Sequence, residues 1–97
     1  MRFARNVHFQ VKSGKTDEFQ RLLTSDVLPL LKQQKGFKEE MTLVSGQHTL
    51  AISVWDDKTS AETYNTSTYP AILAKLNPML DGTPRVETFD VSNSIQA

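Results

Sequence analysis

Large side chains occupy every second position from residue 3 to residue 11. Phe3, Arg5, Val7, Phe9 and Val11 alternate with Ala4, Asn6, His8 and Gln10. A period of two is the mark of a strand, whose side chains leave on opposite faces in turn. Ser13-Gly14-Lys15 ends the run, and the period then changes. Phe19, Leu22, Leu23, Val27, Leu30 and Leu31 follow the three-and-four spacing of an amphipathic helix between Lys15 and Gln34. Asp17 and Glu18 in its first turn and Lys32 and Lys35 near its end suit the helix dipole, and Gly36 fits a C-terminal cap. Pro29 falls inside this helix. It has no N–H and crowds the carbonyl four residues back, which predicts a kink there.

The same alternation of periods then repeats. Phe37 to Ser45 reads as a strand, with Phe37, Met41 and Leu43 on one face and Lys38, Glu40 and Thr42 on the other. Glu39 falls on the apolar side of this reading. Gly46-Gln47-His48 is a turn, and Thr49 to Asp56 is a third strand, so the two form an antiparallel hairpin. Leu50, Ile52 and Val54 share one face of it; Ala51, Ser53 and Trp55 share the other. Thr59-Ser60-Ala61-Glu62 matches a capping box with Thr59 as N-cap. The helical region it opens runs to about Leu80, with a break expected at residues 66–69 and Pro70 opening a new segment. Arg85 to Val91 is the last strand, followed by a polar tail.

The order strand, helix, strand, strand, helix, strand is that of a ferredoxin-like α+β fold, βαββαβ with a four-stranded antiparallel sheet. Two helical regions cover one face of such a sheet. The other face, read as carrying Ala51, Ser53 and Trp55 with Ala4, Asn6 and His8, holds small, apolar and polar residues rather than a run of charge, which predicts a second copy packed face to face. The expected partner is therefore the chain itself, as a homodimer pairing into a dimeric α+β barrel.

Composition narrows the function. A chain of 97 residues is expected to form one domain over residues 1–97. Eleven basic and eleven acidic residues cancel, so neither nucleic acid nor an anionic membrane is expected as a partner. Without cysteine there is no thiolate catalysis, zinc ribbon or iron–sulfur cluster. Two histidines in unrelated positions fall below the ligand count of a metal site. The first apolar stretch holds Arg2, Arg5, His8 and Lys12, unlike a secretory signal, so a cytoplasmic protein is expected. No phosphate-cradling glycine loop or nucleotide fingerprint is present.

The stretches VKSGKTDEF (11–19), VLPLLKQQKGF (27–37), ISVWDDKTSAE (52–62), YPAIL (69–73) and PRVETFDV (84–91) resemble the antibiotic biosynthesis monooxygenase type of domain, within the dimeric α+β barrel superfamily. The resemblance spans nearly the whole chain and implies the fold more than one chemistry. It implies cofactor-free oxidation of a small aromatic or polyketide-like molecule held between sheet and helices, or simple binding of one. The haem-degrading branch of the superfamily is a poor match. Its asparagine falls on Val7, its tryptophan near Tyr64 and its histidine near Ala74, so no cofactor is expected.

Five residues are candidates for contacting a ligand. Arg5 stands on the apolar alternation of the first strand, where a guanidinium needs an anion or a salt bridge, for instance to Glu87 or Asp90. Trp55, the single tryptophan, either covers a flat ligand or packs at an interface. Tyr64 and Tyr69 flank the weak helical segment and line a pocket or pack the helices. His8 is either a proton acceptor or an interface residue, and His48 is expected in solvent. Three functions remain open: a cofactor-independent monooxygenase, a non-catalytic binding or stress-associated protein, and a structural dimer with a filled core. A sheet–helix cavity under about 300 Å³ favours the last.

Overall fold

A computed structural model describes all 97 residues. The elements are β1 (Phe3–Gln10), α1 (Thr16–Leu22), α2 (Leu28–Lys32), β2 (Phe37–Ser45), β3 (His48–Trp55), α3 (Lys58–Ser67), α4 (Tyr69–Leu76) and β4 (Arg85–Asp90). The strands form one antiparallel sheet in the order β2-β3-β1-β4. This is the ferredoxin-like α+β arrangement, with the helices on one face.

The β1 alternation does what its period implies. Phe3, Val7 and Phe9 lie under the helices and are buried, while Ala4, Asn6 and His8 face the other way. Val11 continues the strand only as an isolated bridge to Leu80. Phe19, Leu23, Val27 and Leu31 from the first helical region and Ala61, Tyr64, Ile72 and Leu76 from the second close over this face.

Pro29 leaves its mark one turn earlier than its own position. Between α1 and α2 the helix widens into a π turn, Leu23–Val27, in which the Leu28 amide donates to the Leu23 carbonyl five residues back. The proline then sits in the first turn of α2, where its missing N–H costs nothing. The apolar stripe stays in phase across the turn, with Leu23, Val27 and Leu31 all buried. The second helical region breaks at Thr68, and Pro70 opens α4 in the same way.

Three expectations are corrected. The N-cap of α3 is Asp57, not Thr59: its carboxylate accepts from the Ser60 amide at 2.8 Å while its own backbone is extended. An ionised carboxylate at a helix N-terminus satisfies an orphan amide and also meets the positive end of the dipole. The third strand starts one residue earlier and ends one earlier, at His48 and Trp55.

The third correction concerns β2. A register shift between Phe37 and Glu39 inserts an extra residue against β3. Phe37 stays opposite Trp55 on the helix side, but every residue after the bulge changes face relative to it. Met41 and Leu43, opposite Ile52 and Leu50, therefore lie on the helix-free face, and Glu40 and Thr42, opposite Ser53 and Ala51, lie beneath the helices.

The helix-free face carries an apolar patch beside polar side chains, and Ala51, Ser53 and Trp55, expected on that face, lie beneath the helices instead. Met41 is 55% exposed, Leu43 44% and Phe89 51%. They surround Leu50, Ile52 and Val54, which the sheet half-covers.

Candidate functional site

The alternation of β1 forces Arg5 into the sheet–helix layer. The residue is 3% exposed. Its Nη2 donates to the Asn65 side chain on α3 at 2.8 Å, and its Cζ sits 4.1 Å from the centre of the Tyr69 ring and 5.3 Å from that of Tyr64. Two aromatic faces thus hold the cation. Arg5 makes no ion pair, and its Nε has no acceptor. Burial pulls its pKa below the usual value, partly offset by the two tyrosines.

The expected salt bridge from Arg5 to Glu87 or Asp90 does not form, and for Glu87 the reason is register. Glu87 pairs with Asn6 rather than with Arg5, so it emerges on the helix-free face. There it accepts from His8 Nε2 at 2.7 Å. The other ring nitrogen of His8 lies 3.3 Å from Nε2 of His48, and the two rings are nearly parallel, 7° apart. His8 therefore belongs to an open-face cluster and does not reach the sheet–helix layer.

Tyr64, Tyr69 and Arg5 do come together. Burial pushes the Tyr64 hydroxyl up to about 12, an effect that the Arg5 cation reduces. It raises Tyr69 as well, against the same cation. The Tyr69 hydroxyl is buried and without a hydrogen-bond partner. Trp55 stands behind this cluster. It is fully buried, its indole N–H donates to Ser53 Oγ at 2.9 Å, and its ring packs against Phe37 and Tyr64 at 5.6 and 5.1 Å. It supports the Tyr64 ring and lines no cavity.

Glu40 joins the site from β2, and nothing in the sequence pattern pointed to it. With the strand read without its bulge, Glu40 faces solvent. Its carboxylate oxygens lie 2.7 and 3.1 Å from the Thr42 hydroxyl, which donates to the nearer. Burial raises its pKa, partly opposed by that hydrogen bond.

Arg5, Glu40, Tyr64 and Tyr69 line one cavity between sheet and helices, otherwise walled mainly by aliphatic side chains, including Leu23, Val27 and Leu28 of the π turn and its edge. Its volume is about 30 Å³. That accommodates a water molecule or two and no aromatic ring. On the far side of Arg5 a groove of about 230 Å³ runs between α3 and β4, lined by Asn65, Lys58, Glu62 and Thr88 among others. Arg5 borders both spaces, and its hydrogen bond to Asn65 ties β1 to the helix that forms one wall of the groove.

No protein-family model matches the sequence, and no curated protein does. Solved structures match closely in shape. A protein of unknown function from Nitrosomonas europaea superposes with a TM-score of 0.84 at 19% identity, over 99% of this chain and 94% of its own. A monooxygenase from the gene ActVA-Orf6 of Streptomyces coelicolor, solved with the ligand nanaomycin D, gives 0.81 at 18% identity over 98% and 91%. SnoaB, a cofactor-independent oxygenase from Streptomyces nogalater, gives 0.80 at 17% identity over 99% and 98%. The fold is shared with these proteins and with putative antibiotic biosynthesis monooxygenases. At these identities the likeness concerns the fold alone, and a monooxygenase-like fold leaves the chemistry to be argued from Arg5, Glu40, Tyr64 and Tyr69.

Proposed function

We propose that this protein is a homodimeric, cofactor-independent monooxygenase-like protein of the cytoplasm that binds a small hydrophobic or aromatic molecule between sheet and helices. One observation carries the reading: Arg5 is a buried cation with no anionic partner and an unused Nε donor. Removing a guanidinium from water is expensive, and proteins normally offset it with a carboxylate. A ligand oxygen bearing negative charge supplies the missing partner. The unpaired Tyr69 hydroxyl offers it a second donor, and the tyrosine rings offer a flat ligand stacking surfaces.

In this reading the ligand enters where the wall is weakest. The cavity is bounded by the π turn on one side, and Arg5 and Asn65 separate it from the α3–β4 groove on another. Helix interruptions of this kind are where chains rearrange most readily. The apolar helix-free face supports the dimer half of the proposal. Exposed Met41, Leu43 and Phe89 around a half-covered apolar centre are an interface composition, and a second copy satisfies it symmetrically.

The cavity volume of about 30 Å³ favours a second reading, a structural dimer whose core is filled. Turnover separates the two. Incubation with hydroquinones and anthrones in air, followed by quinone absorbance, is expected to give a rate that Arg5→Met abolishes. No rate above buffer, together with no binding of these compounds, supports the filled-core reading.

A further inference from the structure

On the helix-free face, side chains from β3, β1 and β4 form one hydrogen-bonded chain. His8 Nδ1 lies 3.3 Å from His48 Nε2, and His8 Nε2 lies 2.7 Å from the Glu87 carboxylate. The two rings are 7° from parallel with their centres 5.4 Å apart. Since the facing nitrogens are only 3.3 Å apart, that spacing sets the rings end to end, nitrogen pointing at nitrogen, rather than face over face. The chain borders the apolar patch. His8 pairs with Leu50, Leu50 pairs with Leu43, and Phe89 shares the Glu87 side of β4.

The donors and acceptors of this chain can be counted. An ionised carboxylate only accepts, so His8 Nε2 carries the proton that faces Glu87. In a neutral His8 ring Nδ1 is then an acceptor, and His48 Nε2 donates to it. One added proton is tolerated. A charged His8 donates at both nitrogens, to Glu87 and to a His48 ring whose own proton has moved to Nδ1. A second added proton is not tolerated. Both facing nitrogens then bear hydrogen, neither accepts, and two cations meet end to end.

We infer that His48, His8 and Glu87 are a proton-operated latch on the self-association face, closed with up to one added proton, opened by the second, and weakening the contact with a second copy when it opens. The inference deepens the proposed function and rests on its dimer. Imidazoles change charge between about pH 5 and pH 8, so the latch works in that window. A doubly charged pair beside Leu43, Leu50 and Phe89 has to give up water when a second copy covers it, a cost the closed chain avoids.

The neighbouring charges do not cancel the second proton. Arg85, opposite His8 on β4, approaches the other Glu87 oxygen at 3.5 Å and already draws on that carboxylate. Past the end of β1, Lys12 and Asp81 bring one charge of each sign. On β2 the residues along this end of the sheet are Ser45, opposite His48, and Leu43, neither of which titrates. Glu39, opposite Val54, and Arg2, before β1, stand at the far end.

Sedimentation equilibrium of the full chain at about pH 7.5 and about pH 5 reads the dimer constant across this window, with far-ultraviolet circular dichroism confirming the fold at both. The wild type is expected to associate at least about tenfold more weakly at the lower pH. His48 is exposed at the start of β3, so His48→Gln should fold normally. It takes up no second proton and is expected to keep a nearly constant dimer constant. Glu40, whose pKa burial raises, lies on the opposite face and titrates in both proteins, so the comparison cancels it. Nitrogen-15 NMR of the imidazoles reads the latch itself: coupling between His8 Nδ1 and His48 Nε2 through their hydrogen bond is expected at the higher pH and lost at the lower. A wild-type dimer of pH-independent strength, an equal weakening in His48→Gln, or a nitrogen coupling that survives at the lower pH overturns the latch and leaves the dimer standing. A wild-type monomer at both pH values overturns the dimer and the latch together.

Discussion

The guanidinium of Arg5 lies 4.1 Å from the centre of the Tyr69 ring, and the Tyr69 hydroxyl beside it has no hydrogen-bond partner. A structural role alone explains this poorly. A cation kept for stability is normally matched by an anion, and a buried hydroxyl kept for stability is normally bonded. The pair is better understood as unfinished, with the ligand completing it.

That view predicts that Arg5 costs stability. Arg5→Met keeps the volume and removes the buried charge, and the Asn65 amide it leaves behind is exposed to water. The substitution should leave the melting temperature unchanged or raise it, because replacing a buried charge by an apolar side chain is often neutral or favourable by about 1–4 kcal/mol. Thermal denaturation by circular dichroism measures it. A marked drop in melting temperature assigns Arg5 a structural role.

Asp57 makes the stability of α3 depend on pH. The Ser60 amide hydrogen bond holds its carboxyl below the usual carboxylate range. A carboxylate whose folded pKa is depressed contributes stability above its unfolded pKa of about 3.9. That contribution disappears as pH falls through the lower folded value. The melting temperature of Asp57→Ala should therefore lie below wild type at pH 7, and the gap should shrink below about pH 4. A gap independent of pH contradicts the cap assignment.

Gly36 is the tightest point of the turn into β2. Its φ of +83° lies in the left-handed region, and an added Cβ collides with the Ser60 side chain. Gly36→Ala should destabilise by at least about 1 kcal/mol in urea unfolding. Adding Ser60→Gly removes the collision but not the backbone strain, so it should restore only part of the loss.

Charge on the helix-free face should break the dimer. Leu43→Lys combined with Phe89→Glu places ions where a second copy is proposed to pack. Sedimentation equilibrium at micromolar concentration should give twice the chain mass for wild type and a folded monomer for the double variant. A wild-type monomer removes the dimer from the account.

Much of the fold was legible in side-chain periodicity. The β1 alternation, the two helical stripes and the prolines at 29 and 70 placed the elements in order, and three of the residues singled out, Arg5, Tyr64 and Tyr69, line one cavity. What periodicity could not carry was register. The Lys38-Glu39-Glu40 run has no apolar residue to reveal a bulge, so Glu40 was read as solvent-facing and Met41 as core. Pairing between β1 and β4 is equally silent in sequence. One residue of phase sends Glu87 to His8 instead of Arg5. Trp55 was misjudged because its neighbours Phe37 and Tyr64 come from elements distant in sequence.

The single tryptophan offers the most direct test of the account. Trp55 packs 5.1 Å from Tyr64, whose ring lines the cavity, so a ligand entering there should perturb its emission. Titration with an anthrone or hydroquinone should change that emission saturably in the wild type, and Arg5→Met should abolish the change while remaining folded. No saturable change in the wild type, or an identical one in Arg5→Met, contradicts a ligand site built on Arg5.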